Sequence, residues 1–248
     1  MNRKKSYKIS IITPSYNSGE YITRAIESVV AQDYTDWEHI VVDGGSNDNT
    51  IEILEQYPHI KWVSEPDQGQ SDAMNKGFKL STGDIIVYLN ADDWFEPKAF
   101  SSVAEAFEKE NKDIIFGDLR VINTQNQSEE VRTPSTDYQS ILKYWNNEFP
   151  ANPVSYFYKR KVQENYLFPI NNHLSMDLDF LFYASKHFEI SYLPAILGVF
   201  FLDGENKTSN INVKKVQRKA YLDHCQKYEP YLYLKFHLGE FKQKILGR

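Results

Sequence analysis

Through the first 120 residues the chain switches repeatedly between two periodicities, which leaves few folds open to it. Lys8–Thr13 is a short β-branched run, after which Ile22, Ala25, Ile26 and Val29 recur at helical spacing. The switch repeats: Trp37–Val42 then helical Asp48–Gln56, Ile60–Val63 then Gly69–Leu80, Ile85–Leu89 then Pro97–Glu108 with Pro in its first turn. Asp113–Phe116 is a fifth strand. Strands alternating with helices at this spacing build βαβ units: an α/β fold with a mostly parallel sheet flanked by helices. The unbroken apolar run Ile85–Leu89 suits a strand covered on both faces. Ligands of such sheets bind outside the carboxyl ends of the strands. The polar stretches that follow the strands are therefore where chemistry is expected.

Beyond Arg120 the pattern changes. Asn123–Thr136 is polar and reads as a surface loop or hairpin. Val154–Tyr158 reads as a strand, Asp177–His187 as a helix and Ile190–Leu202 as one or two antiparallel strands. The last stretch is helical over about 211–226 and 231–246, broken at Pro230. The expected division is a catalytic domain over 1–210, with halves 1–120 and 121–210, and a helical tail over 211–248.

Charge narrows the classes. The formal net charge of −6 argues against a nucleic-acid binder. A single cysteine, Cys225, excludes a disulfide scaffold and suits a reducing cytosol. Met1–Lys8 is polar and basic with no cleavable apolar region after it. The longest apolar run, Tyr192–Leu202, is far short of the ~20 residues that span a bilayer. The expectation is a cytoplasmic protein.

Three strand ends carry unusual polar clusters. In Thr13-Pro14-Ser15-Tyr16-Asn17, Pro and Tyr could wall a slot for a flat ring; a tight turn with a helix cap is the plainer reading. In Asp43-Gly44-Gly45-Ser46, the acid could accept from a base or a ribose, or the stretch could be an Asx-rich turn. In Asn90-Ala91-Asp92-Asp93, two acids end a buried strand, where they are costly unless a cation compensates them. Hard oxygens at a sheet edge suit Mg²⁺ or Mn²⁺. The competing reading is an acid pair that caps the helix after Pro97.

Together the three clusters resemble family-2 inverting glycosyltransferases of the GT-A (Rossmann-like) fold. The resemblance rests on ISIITPSYNSGEYITRAIESVVAQDY, WEHIVVDGGSNDNT and SEPDQGQSDAMNKGFKLSTGDIIVYLNADD, continuous over roughly residues 8–100 and persisting to about 200. It implies that Thr13, Pro14, Tyr16 and Glu20 line the nucleotide pocket and that Asp43 binds the base. Asp67 and the helix opened by Asp72 would frame the donor. Asn90, Ala91 and Asp92 take the place of the family's DXD motif, with Asp92 the ligand of Mn²⁺ or Mg²⁺ and Asp93 near the donor sugar. Asn90 departs from the acidic first position.

The same resemblance makes Asp177 the general base that takes a proton from the acceptor hydroxyl. Met176 stands where the family usually has Glu. Asp179 lies roughly 200° further round the helix, so the two acids do not share one cleft. An acid in the first turn could equally be placed for the helix dipole alone. Pro150–Phe157 resembles the segment beneath the acceptor site. Phe200–Ser209 occupies the place of an aromatic-basic loop over the diphosphate, with Lys207 the available base.

The implied activity is transfer of a sugar from a nucleoside diphosphate donor, UDP first, to a hydroxyl of a glycan or lipid-linked acceptor in surface polysaccharide biosynthesis. Two other classes stay open. A sugar-nucleotide-forming nucleotidyltransferase normally has a basic Gly-rich N-terminal loop, and Pro14–Gly19 has no Lys or Arg. A non-catalytic partner subunit of a polysaccharide assembly complex would lack Asp92 or Asp177, and both are present. Residues 214–248 carry nine Lys or Arg against three Asp or Glu, and Tyr231, Leu234, Leu238, Phe241 and Ile245 form a stripe at helical spacing. Such a basic amphipathic tail fits peripheral contact with the inner face of a membrane, a second subunit of a homo-oligomer, or its own domain.

Overall fold

Burial of successive β-branched runs sets the order of the sheet. In the computed structural model, which describes residues 6–145, 151–172, 174–204 and 213–245, β1 (Ile9–Ser15), β2 (Trp37–Asp43), β3 (Ile60–Ser64) and β4 (Ile85–Tyr88) pair in parallel in the order β3-β2-β1-β4. The period of two sorts their side chains onto two faces. Ile12, Ile86 and Tyr88 face one core with Met74, while Ile9, Ile11, Ile85 and Val87 face another with Phe100 and Phe107.

Helices α1 (Ile22–Val30), α2 (Thr50–Leu54), α3 (Gln70–Leu80) and α4 (Ala99–Lys109) follow the strands. α3 approaches β1 closely because Gly77 has no side chain; a Cβ there would lie 2.3 Å from Ile12 Cγ2. α4 begins later than the sequence suggested. Lys98 takes a left-handed conformation (φ 65°) at the N-cap, which leaves Pro97 outside the helix.

The second half of the sheet is mixed. β8 (Tyr156–Lys159) runs antiparallel to both β4 and β6 (Ile114–Asn123), and meets β4 only through Ile85↔Lys159 and Ile86↔Tyr158. The polar segment after β6 is a hairpin, with β7 (Ser128–Arg132) antiparallel to β6. β9 (Ile190–Leu202) is one long strand, parallel to β6 and antiparallel to the two-residue β5 (Trp94–Phe95). Pro194 lies at a register shift opposite Gly117 and Asp118, where the missing N–H breaks no ladder bond, so the strand continues through it.

After the short helix α5 (Tyr138–Ile141) and β8, α6 (Met176–His187) buries Leu178, Phe180, Leu181 and Phe182. In the tail, α7 (Val213–Tyr228) and α8 (Pro230–Ile245) are separated at Pro230, which is the first residue of α8. α7 is not a loose appendage. Ala220 enters the core, Tyr138 Oη lies 2.9 Å from His224 Nε2, and Lys186 of α6 binds Glu229 at 2.5 Å. Among the described residues no helix is long and apolar enough to cross a membrane.

Candidate active site

A cleft of about 650 Å³ opens at the carboxyl ends of β1, β2 and β4, within the roughly 300–1,000 Å³ typical of small-molecule sites. Pro14 and Tyr16 form one wall, Tyr16 with 61% of its surface exposed at the rim. A flat ring at a strand end is a platform on which a planar base can stack. Asp67 comes from the loop after β3, and Asn90, Ala91 and Asp92 from the end of β4. Asn152, Leu174, Asp177 and Phe200 close the opposite side. Seven of the sequence-derived residues therefore share one cavity: Pro14, Tyr16, Asp67, Asn90, Ala91, Asp92 and Asp177.

Five others stand behind its walls, each for a local reason. Thr13 is buried, with Oγ1 2.9 Å from Nε2 of His39, whose pKa burial pushes down to about 3, so the ring is neutral. Glu20 is exposed in the turn before α1. Asp43 is fully buried and its carboxylate accepts from Gly45 N (3.0 Å), Ser46 N (2.9 Å), Ser64 Oγ (2.7 Å) and Ser46 Oγ. This is the Asx-turn arrangement, and it points the acid into its own loop. Asp72 accepts from Gln68 N and pairs with Lys76 at 3.4 Å. Asp93 lies fully buried under the floor. His173, Lys207 and the rest of 205–209 lie outside the described residues, as do the side chains of Phe241 and Ile245.

The floor is a relay of hydrogen bonds. Gln70 Nε2 donates to Asn90 Oδ1 (2.9 Å), and Asn90 Nδ2 donates to Asp93 Oδ2 (3.0 Å). Asp93 Oδ1 accepts from the Phe201 N–H of β9 (3.1 Å). Burial, reinforced by the charge of Asp92, raises the Asp93 pKa well above the usual carboxylate range. Asn at position 90 thus serves a structural purpose, donating to an acid below and accepting from a helix beside it.

Asp177 sits in the first turn of α6 and reaches the cleft, while its neighbours are apolar. Burial pushes its carboxyl up to about 6, offset in part by the Leu178 N–H at 2.8 Å. Asp179 points elsewhere, 2.5 Å from Asn172 Nδ2, and burial raises it to about 7. Asn172 Oδ1 also accepts from Ser175 N (3.1 Å) and orders the turn into α6. Ser71 of α3 donates to the Asn172 carbonyl at 2.9 Å, which ties the turn before α6 to α3.

Sequence reasoning missed Arg24. Its guanidinium lies 3.8 Å from the Trp94 centroid and 4.3 Å from the Phe201 centroid, and Nη2 donates to the Asp92 carbonyl at 2.8 Å. No helical periodicity marks it, because its partners come from β5 and β9. We expect Arg24→Ala to cost about 2 kcal/mol, a fall of roughly 4–8 °C in Tm. Arg24→Lys should recover little, since a lysine has no planar group to lie over two rings. Thermal melts check both; an Arg24→Ala variant that melts like the parent removes these ring contacts from the stability of the fold.

The donor set suits a hard cation. Among the described residues no three His, Cys, Asp or Glu side chains converge on a point. Mg²⁺ commonly takes one or two protein carboxylates and fills its shell from substrate phosphates and water. Asp92, half-buried at the cleft floor, fits that role with phosphate oxygens supplied by a donor.

Comparison with known proteins bears on the fold and the family. A glycosyltransferase of Nostoc sp., itself uncharacterized, is 35% identical over 177 residues, covering 66% of this chain and 54% of its own length. The chain thus spans about half of that relative. Among solved structures, Staphylococcus aureus TarS (residues 1–349) with UDP-GlcNAc superposes with a TM-score of 0.71 at 19% identity, covering 90% of this chain and 67% of TarS. A mannosyltransferase of Pyrobaculum calidifontis with GDP-Man and Mn²⁺ superposes with a TM-score of 0.61 at 19% identity, covering 90% and 64%. At these identities the superpositions establish the GT-A type fold. Residues 10–172 match the sequence profile of Glycosyl transferase family 2, and the chain belongs to that family.

Proposed function

We propose that the chain is an inverting, metal-assisted glycosyltransferase that moves a sugar from a UDP-linked donor to a hydroxyl of a glycan or lipid-linked acceptor in surface polysaccharide biosynthesis, acting in the cytoplasm. The observation that supports this best is that Asp177 and the Asn90–Asp92 loop face one cleft whose far wall is Pro14 and Tyr16. Tyr16 and Pro14 hold the base, and Asp67 and Gln70 border the donor. A divalent cation held at Asp92 supplies positive charge for the leaving nucleoside diphosphate. Asp177 takes the proton of the acceptor hydroxyl as its oxygen bonds to the anomeric carbon and the bond to the diphosphate breaks. A single displacement inverts the anomeric configuration.

A panel of nucleotide sugars with Mn²⁺ tests this reading. Sugar transfer or slow donor hydrolysis is expected, with a UDP-sugar giving the largest thermal shift. Pyrophosphate release would identify a nucleotidyltransferase, and no binding at all a non-catalytic subunit. The pH profile gives a second test. Asp177 must be ionised to act, and its pKa is raised to about 6. kcat/KM is therefore expected to fall as pH drops through about 6 and to level off above it. A profile flat down to pH 4.5 is inconsistent with Asp177 as base.

A further inference from the structure

The outer face of α8 is apolar and exposed, and the transfer chemistry does not use it. The inner face is accounted for. Leu232 packs against the core, the Phe236 and Tyr221 ring centroids lie 5.9 Å apart, and the Arg218 guanidinium lies 5.1 Å over the Phe236 ring. Roughly 150° around the helix, Tyr231, Leu234 and Leu238 are 74%, 61% and 61% exposed. A helix apolar on two faces and covered on one is built for a second contact.

Charge identifies what meets it. Lys214, Lys215, Lys219 and Lys227 of α7 and Lys235 of α8 are exposed, and Asp223 is the one exposed acid among the described side chains of these helices. Lys227 and Lys235 flank the stripe in sequence. The rest of the chain has the opposite balance, with 31 Asp or Glu against 19 Lys or Arg in residues 1–213. We propose that this face docks on an anionic lipid bilayer, with Tyr231, Leu234 and Leu238 entering the headgroup–acyl boundary and the lysines meeting lipid phosphates. A symmetric contact between two copies through the same face would set two basic helices against each other, which repels.

The attachment also orients the enzyme. α7 packs on α6, the helix whose first turn carries Asp177, and Lys186 in the last turn of α6 holds Glu229 at the α7–α8 junction (2.5 Å). Because these contacts fix α8 to the body of the protein, docking through its outer face holds the domain in one orientation on the bilayer. The lipid contact itself does not depend on the transferase reading.

Flotation of the full chain with phosphatidylcholine vesicles, with and without phosphatidylglycerol, tests the proposal. The parent is expected to float with the anionic vesicles only and to be released by high salt. Leu234→Ser combined with Leu238→Ser should cut the floated fraction about tenfold, with UDP binding and Tm unchanged because neither side chain is packed. Replacing Lys214, Lys215, Lys219 and Lys227 by Gln should weaken binding and flatten its salt dependence. A parent that stays with the soluble fraction overturns the proposal, and so does flotation indifferent to the double variant. A dimer that the double variant converts to monomer, with flotation unaltered, would assign the face to a second copy instead.

Discussion

Asp177→Asn is expected to lower kcat/KM for sugar transfer by about 10³-fold, the scale of a lost general base, while UDP binding is retained. The amide is the same size and can still accept the Leu178 N–H, so the turn into α6 should persist. It cannot take the acceptor proton. The variant also separates function from folding. Apolar surroundings raise the Asp177 pKa to about 6, so the carboxylate that is charged at pH 7 is less stable folded than unfolded. Sign and window follow: the strain is absent below the ordinary value of 3.8, grows as pH rises through about 6, and is fully present at pH 7. Removing that charge should leave Tm unchanged or raise it at pH 7. Lost activity with undiminished stability marks a residue kept for chemistry. Substantial transfer by a folded Asp177→Asn protein would move the base elsewhere.

Asp92→Asn carries the second large effect. We expect a loss of about 10²-fold or more in transfer, because charge stabilisation of the leaving diphosphate is worth several kcal/mol. Calorimetric titration gives a readout independent of turnover. Mn²⁺ should strengthen UDP binding to the parent and leave binding to Asp92→Asn unchanged. EDTA should reduce the parent to the level of the variant. If the parent transfers sugar equally well in EDTA, Asp92 is not a metal ligand and its loop has another purpose.

β1, β2 and β4 were legible because each is a buried run ended by Gly, Pro or Asx, a signal local in sequence; β3, with only Ile60 buried, was legible from its short apolar run before Pro66. β5 was not legible. Two residues carry no period, and Trp94 and Phe95 become a strand only because β9 lies beside them. β9 read as one or two strands, and its continuity through Pro194 depends on the shift opposite Gly117. The same limit applies to the site. Sequence located Pro14, Tyr16, Asn90, Asp92 and Asp177 at strand or helix ends, and all line the cleft. It could not say which way a carboxylate turns. Asp43 turns into its own loop because Gly45, Ser46 and Ser64 offer four donors, and Asp93 turns down because Phe201, far along the chain, presents an N–H.

The pairing of β5 with β9 bears on how such enzymes can be recombined. The join of β4 to β8 is short, and a division near residue 120 looks natural from the sequence alone. Yet Trp94 pairs with Val199, Arg24 lies over both Trp94 and Phe201, and Asp93 accepts from Phe201. A crossover between α4 and β6 would give these partners different parents. A chimera that exchanges acceptor halves keeps the Asp93–β5–β9 unit intact only if the inherited block starts before Asp93. Even then Arg24 on α1 must match the incoming rings.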